Sequence, residues 1–429
     1  MIYQIVALIV LLTYLLVIII RHKNIYSLLY YLVPISLLFD IFVNHFADGG
    51  LSLIAALRVL FTYSLVLYLV LKRPEKSIFS FTLLIYFLYT FILVLVRDFD
   101  DLFGNIEYLL KLNMSMIFVY ICYSYFKKIK HLNILSNQLF FSLLIFLAYL
   151  LIANIFNLGS LYVEDPEEMD IGVINTGALV GNNFYSLAYL IILFPFVKKY
   201  SDYASNKLFN LVYIVAAITV LLPFRRTAIL ILAFGILLYF LINLSKIKKT
   251  LKYGLLLSFI LLSSSPLYLP YLDAARAVRG VRGENPFAAQ TIQQESRFLE
   301  VFEVSDRLYE EGLNGILFGK SFDIVGVYPP GSNRPLHSDF TILLYTSGLI
   351  GFALYLLIYI SFFWVFIKNK TFKKNRLFDY IFLSMFFISL LVSYPGRFTS
   401  ITHRSIVFIM IGVSLAVMKV NKQSLEGNK

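Results

Sequence analysis

The chain has 429 residues, of which 59% are hydrophobic, 17% aromatic and only 14% charged, with a mean hydropathy of +0.79. A soluble domain is near half apolar and a quarter charged, so this composition excludes an ordinary soluble enzyme and marks an integral membrane protein with many spans. The formal charge of +12 arises from 37 basic and 25 acidic residues, but the chain is too apolar for a nucleic-acid binder, and its single Cys122 excludes both an intramolecular disulfide and a cysteine metal cluster.

A spanning helix needs roughly 20 mostly apolar residues. In chain order that template finds about 13 spans (12–14), near 3–20, 26–46, 51–71, 78–96, 108–126, 139–158, 178–197, 208–223, 227–244, 253–270, 337–367, 378–394 and 405–419. The first lacks a basic leading region and a small-residue cleavage motif, so it does not read as a typical cleaved signal peptide. The stretch 337–367 is longer than one crossing requires, which implies tilt or extension into water. Three parts follow: 1–270 with the first ten spans, a large outer loop over 271–336, and 337–429 with the last three spans and a tail. A smaller outer loop, 159–177, is acidic. The fold class is therefore all-α, a polytopic transmembrane helix bundle with one large extracytoplasmic loop.

Lysine and arginine set the orientation. Basic loops fall at every second gap: Arg21 with Lys23, Lys72 to Lys76, Lys127 to Lys130, Lys198 to Lys207, Lys246 to Lys252, Lys368 to Arg376, and the tail. Placing them inside puts the N-terminus outside and the C-terminus in the cytoplasm. Lysine then lies almost wholly inside, whereas most arginines lie at the outer face: Arg58, Arg97, Arg225, Arg226, Arg276, Arg279, Arg282, Arg297, Arg307, Arg334, Arg397 and Arg404. Arginine presents a planar fork of donors that matches phosphate and carboxylate oxygens. Ion pairing with outer acids accounts equally well for those in the large loop.

Arg225 and Arg226 lie in a very short turn, Leu221-Leu-Pro-Phe-Arg-Arg-Thr-Ala-Ile-Leu230, with no acid nearby in sequence. They begin an inward-running helix, and exposed helix N–H groups beside cationic side chains make a good anion site. Snorkelling to outer headgroups is the competing reading. His337 begins another inward helix after Pro329, Pro330 and Pro335, and it can take or give a proton near neutral pH. Asp339 is an alternative base. No nucleotide-binding, zinc-protease or nucleophile-elbow motif is present, so chemistry belongs outside, on a substrate that is already activated.

Three segments resemble the O-antigen ligase and O-antigen polymerase superfamily of bacterial membrane glycosyltransferases. Arg226-Thr-Ala-Ile-Leu230 is similar to that family's Arg-x-x-x-Leu motif. Gln294-Glu-Ser-Arg297-Phe-Leu-Glu300, followed by Gly315-Ile-Leu-Phe-Gly319, resembles its large-loop stretch. His337-Ser338, nine residues and Gly348-Leu-Ile-Gly351 resembles its His–Gly-x-x-Gly pattern. The likeness covers about 220–400. The acidic outer loop at 159–177 departs from it, lacking the arginine motif of some polymerases.

The resemblance implies a GT-C-like bundle in the bacterial inner membrane, with short helices in the outer loop and an outward-facing active site. It implies an undecaprenyl-diphosphate-linked oligosaccharide donor and a glycan or lipid-linked acceptor. Membrane lipids and other polysaccharide-assembly proteins would be partners, with no cofactor and no metal. Arg226 and Arg297 would hold the diphosphate, assisted by Arg225 and Arg279. His337 would deprotonate or orient the attacking hydroxyl. The product names the protein: a polymerase of O-antigen, capsule or exopolysaccharide repeats if the acceptor is another lipid-linked repeat, a ligase if it is lipid A–core. A lipid-linked oligosaccharide flippase is the reading without an enzyme.

Overall fold

The computed structural model describes residues 9, 11–18, 20, 28–45, 53–72, 77–97, 102–126, 128–158, 176–179, 181–221, 226–243, 296–328, 330, 336, 338–370, 376–393 and 401–426. Among these the chain is helical and has no strand element. The helices are α1 (Leu28–His45), α2 (Leu53–Lys72), α3 (Ile78–Arg97), α4 (Leu102–Tyr125), α5 (Ile129–Ile155), α6 (Gly181–Ile192), α7 (Phe194–Tyr200), α8 (Lys207–Leu221), α9 (Arg226–Ile242), α10 (Ser296–Glu310), α11 (Gly312–Phe318), α12 (Asp339–Asn369), α13 (Arg376–Ser393) and α14 (Ile401–Glu426). A 3-10 turn, Asp202–Ser205, joins α7 to α8. Five described stretches are long and apolar enough to cross a membrane: Ile78–Arg97, Ile129–Ile155, Asp339–Asn369, Arg376–Ser393 and Thr402–Ser424. Shorter apolar helices lie at most other expected spans, and the expected span 253–270 lies outside the described residues.

Local chemistry sets the helix ends. Ser77 and Ser80 exchange side-chain and backbone bonds (Ser77 N–H to Ser80 Oγ, 3.0 Å; Ser80 N–H to Ser77 Oγ, 3.2 Å), a capping box that starts α3. At the end of α5, Asn157 is left-handed (φ 50) and Leu158 N–H returns to Ala153 O at 2.7 Å, which closes the helix in a Schellman-type turn. The expected single span 178–197 is two helices. Pro195, in the first turn of α7, has no N–H to continue α6; Phe196 N–H turns to Leu193 O at 2.9 Å, and Tyr380 Oη donates to the terminal Ile192 O at 2.8 Å.

The chain forms two compact units, Met1–Leu69 with Phe126–Gly283 and Lys373–Ser384, and Val70–Tyr125 with Glu284–Phe372 and Met385–Lys429. In the first, α1 packs on α5 and α6 on α9. Phe194 lies beside Phe209 and Tyr213, so α8 folds back along α6 and α7. In the second, α14 lies along α4, where Gly412 lets the helix approach Val119 O and Cys122 Cβ, and α12 packs on α3.

The stretch 337–367, expected as one long span that tilts or extends into water, is broken. Gly348, with φ 63 and ψ −168, interrupts α12 and divides it into an N-terminal segment and a longer helix. Gly319 (φ 83), after α11, meets the break: a Cβ on Gly319 would lie 2.7 Å from Ser347 N and Tyr345 O, and one on Gly348 would collide with the Leu317 carbonyl. Both positions thus need glycine for backbone conformation and for close approach. Gly312 is also left-handed (φ 68), yet a Cβ there meets nothing within 4 Å. Gly348→Ala and Gly319→Ala should therefore each cost about 1–3 kcal/mol or more, and Gly312→Ala only the lower end of that range. Denaturant unfolding in detergent checks the order; equal losses at all three would mean that close packing at the break contributes nothing.

Candidate functional site

The break frees backbone carbonyls that a continuous helix would satisfy, and in an apolar setting each needs a donor. Three consecutive carbonyls receive one from three different places. Lys320 N–H donates to Tyr345 O at 2.7 Å, Arg97 Nη2 to Thr346 O at 2.8 Å, and Tyr89 Oη to Ser347 O at 2.8 Å. Arg97 Nη1 also donates to Gly319 O. The guanidinium at the end of α3 thereby clamps the turn after α11 onto the broken helix, using the fork that lysine lacks. Gly351 leaves room for the Tyr89 ring, 3.1 Å from where its Cβ would stand. Outside the spans, Glu311 pairs with Lys320 at 2.6 Å and raises the lysine pKa above its ordinary value.

The N-terminal segment of α12 is anchored by a carboxylate. Glu300, 2% exposed on α10, accepts from Ser338 N–H at 3.0 Å and from the Thr341 hydroxyl. It takes the N–H of the N-cap residue, as the carboxylate of a capping box does, at a helix start that favours negative charge. Ser338 Oγ also reaches Ser393 O on α13 at 3.4 Å. Behind these lies a buried polar cluster on α12, α13 and α14. Tyr355 and Tyr359 hydroxyls are 3.4 Å apart, and Ser393 Oγ donates to Ser389 O at 2.9 Å. Arg404, expected among the outer cations, is 0% exposed, and so is its neighbour His403. Asp339, an alternative base by its position beside His337, is fully enclosed in this cluster.

His337, Arg225 and Arg279 lie outside the described residues. Arg226 is the first residue of α9 and Arg297 the second of α10; only their backbone is described. The second unit does bring two of the resembling segments together: Glu300 is one turn beyond Arg297, and Ser338 follows His337. In the first unit, Gly235 packs against Ile192. Arg58 Nη1 pairs with Asp40 Oδ1 at 2.7 Å and Asn183 Nδ2 donates to Asp40 Oδ2 at 2.9 Å. The charge of Arg58 is thus matched by a carboxylate from α1. Glu300 and Arg97 carried no assigned role in the sequence reading. A carboxylate ending an apolar-flanked motif and an arginine ending an apolar helix were the available signals. No cluster of three or more metal-ligating side chains occurs among the described residues.

Comparison of the chain with family models, curated proteins and solved structures finds no match to any of them. Replacing Arg97 by Ala removes charged donors from two carbonyls and should cost about 1.5–3 kcal/mol, with Lys recovering less than half of that. Unfolding measurements on Arg97→Ala and Arg97→Lys check it, and full rescue by Lys would contradict the two-pronged clamp.

Proposed function

We propose that the chain is an inner-membrane glycosyltransferase that polymerises lipid-diphosphate-linked oligosaccharide repeats at the outer membrane face. The single observation that supports it most is the Glu300–Ser338 bond. It joins the Ser-Arg segment of the outer loop to the His-Ser segment 38 residues away, the two segments whose resemblance points to this chemistry. The break at Gly348 and the turn at Gly319 give the remaining motif glycines a shared structural task. In this reading all of about 13 apolar stretches span the membrane, and the alternating basic loops place the N-terminus outside and the C-terminus inside.

The donor diphosphate is held by Arg226 and Arg297, with Arg225 and Arg279 as further cations. The acceptor hydroxyl oxygen attacks the anomeric carbon with inversion, the bond from that carbon to the phosphate oxygen breaks, and the diphosphate leaves with the electron pair. Arginines aimed at that oxygen stabilise the charge as it develops, an effect worth about 10²–10³-fold per donor in comparable sites. His337 takes the hydroxyl proton or orients the hydroxyl. Glu300 fixes the backbone at Ser338 and so sets where the His337 side chain begins. Transfer is metal-independent, as the resemblance implies.

The acceptor separates this from a ligase, for which lipid A–core would replace the second lipid-linked repeat. The buried Arg58–Asp40 pair is the feature a flippase would also carry. Purified protein in nanodiscs, given a lipid-diphosphate-linked repeat alone, should yield a ladder of longer glycans. His337→Ala should reduce its rate by about 10²–10⁴-fold and Arg226→Ala by about 10²–10³-fold. Glu300→Ala should slow it while Glu300→Gln, which keeps an acceptor oxygen, retains more. Product only after lipid A–core is added makes the protein a ligase. Lipid-linked sugar crossing sealed vesicles without lengthening overturns the enzyme reading.

A further inference from the structure

The helix break of the second unit coincides with the end of two apolar surfaces. Beyond Gly348, α12 exposes an apolar stripe at helical spacing: Leu349, Ala353, Leu357, Ile360, Trp364 and Ile367. Before it, every residue from Asp339 to Gly348 is buried or half-buried. The neighbouring α3 carries a similar exposed stripe from Ile78 to Val96. At 1.5 Å of rise per residue each stripe is about 27 Å long, and the hydrocarbon core of a bilayer is about 30 Å thick. The two helices run antiparallel, with Thr82 Oγ1 3.3 Å from Ser361 Oγ towards one end and Arg97 Nη2 on Thr346 O at the other. Both stripes therefore end near the level of the break, and that level is a lipid boundary.

The end of α10 and the whole of α11 reach this level. α10 runs alongside the N-terminal segment of α12: Glu300 meets Ser338, and Val304 and Leu308 share one core with Ile342 and Tyr345. Its last turn thus arrives at the break, and α11 passes it, since a Cβ on Gly348 would collide with the Leu317 carbonyl. At this corner Tyr309 and Leu313 are 77% and 71% exposed, and Phe318 is exposed to 38%. Large apolar side chains grouped at a lipid boundary are placed to enter it, and a tyrosine suits the interface by its apolar ring and polar tip. Charge at the same corner sets the depth: Glu311 and Lys320 form a partly exposed ion pair, which belongs among headgroups and not among acyl chains. Phe302 is also exposed, on the same face of α10 as Tyr309 but about two turns farther from the break. We propose that the corner between α10 and α11 rests in one membrane leaflet, with Tyr309, Leu313 and Phe318 entering the boundary between headgroups and acyl chains. The partner is a lipid surface, continuous with the lipid that covers the α12 stripe. Contact with it holds α10, and with it Glu300, at a fixed height over the membrane. This does not depend on the glycosyl-transfer reading.

The test uses full-length protein in phosphatidylcholine nanodiscs. Leu313→Cys and Phe302→Cys are each labelled with a thiol-reactive fluorophore; the native Cys122 is buried, and the unsubstituted protein gives its background. Quenching is measured with phosphatidylcholine brominated on its acyl chains and, separately, with iodide in the water. Brominated lipid should quench the label at Leu313 several-fold more than the label at Phe302, and iodide should show the reverse order. A label at Leu313 quenched chiefly by iodide overturns the proposal, because the corner then stands in water. A label there quenched by neither overturns it too, because protein then covers the corner. Equal lipid quenching at the two positions also contradicts it, since the dye and not the corner would then be seeking the bilayer. Should Leu313→Cys fail to fold, Asn314→Cys at the adjacent exposed position carries the same readout with the same outcomes.

Discussion

The second unit depends on the satisfaction of three carbonyls. Breaking a helix inside an apolar medium leaves backbone oxygens without donors, and each such oxygen costs more there than it would in water. Gly348 breaks α12, and Lys320, Arg97 and Tyr89 supply the missing donors from the turn after α11 and from α3. Because these donors come from separate parts of the chain, the break fixes more than itself. It holds α10 and α11 against α12 and separates a short N-terminal segment, beginning at Asp339, from the longer apolar helix. The Gly319–Gly348 approach is the steric condition for that arrangement, and the guanidinium of Arg97 its electrostatic one.

A second layer of polar burial lies behind that segment. Glu300 binds the start of α12, Ser338 reaches α13, and Asp339 and Arg404 are fully enclosed. Buried networks of this kind restrict a fold to one arrangement when all members are satisfied. Charges enclosed within apolar helices are expensive, so their concentration beside the His-Ser segment distinguishes this place from the aromatic packing of Phe79, Phe362 and Phe408. The opposite end of the unit is organised differently, with lysines around an open cavity. At one end Arg97 is hydrogen-bonded to backbone carbonyls and Arg404 is enclosed, whereas lysines line a rim at the other.

Much of the helical plan was legible from hydropathy alone. Expected spans such as 26–46 and 78–96 agree with α1 and α3 to within two residues at each end, because apolar runs bounded by charge leave little choice of helix ends. The breaks were harder to see. Pro195 announced its own, but Gly348 lies in an unbroken apolar run, and a glycine there is compatible with a continuous membrane helix until Gly319 is brought against it. The arginines expected at the outer face were read as anion ligands or as ion-pair partners of nearby acids. Arg97 and Arg404 are committed to carbonyls and to a buried cluster, and Arg58 to Asp40, because partners far apart in sequence are invisible to local patterns. The joining of the segments at Glu300 and Ser338 likewise needed three dimensions.

In the proposed reaction the diphosphate of the donor lies beside the joined Ser-Arg and His-Ser segments. A lipid diphosphate bearing a photoreactive group next to its phosphates, crosslinked to the full-length protein and mapped by mass spectrometry, tests that most directly. Adducts are expected within 294–300 and 336–341, lost on competition with unlabelled lipid diphosphate. Competed adducts confined to the lysine-rich ends of α12 and α14 would contradict it.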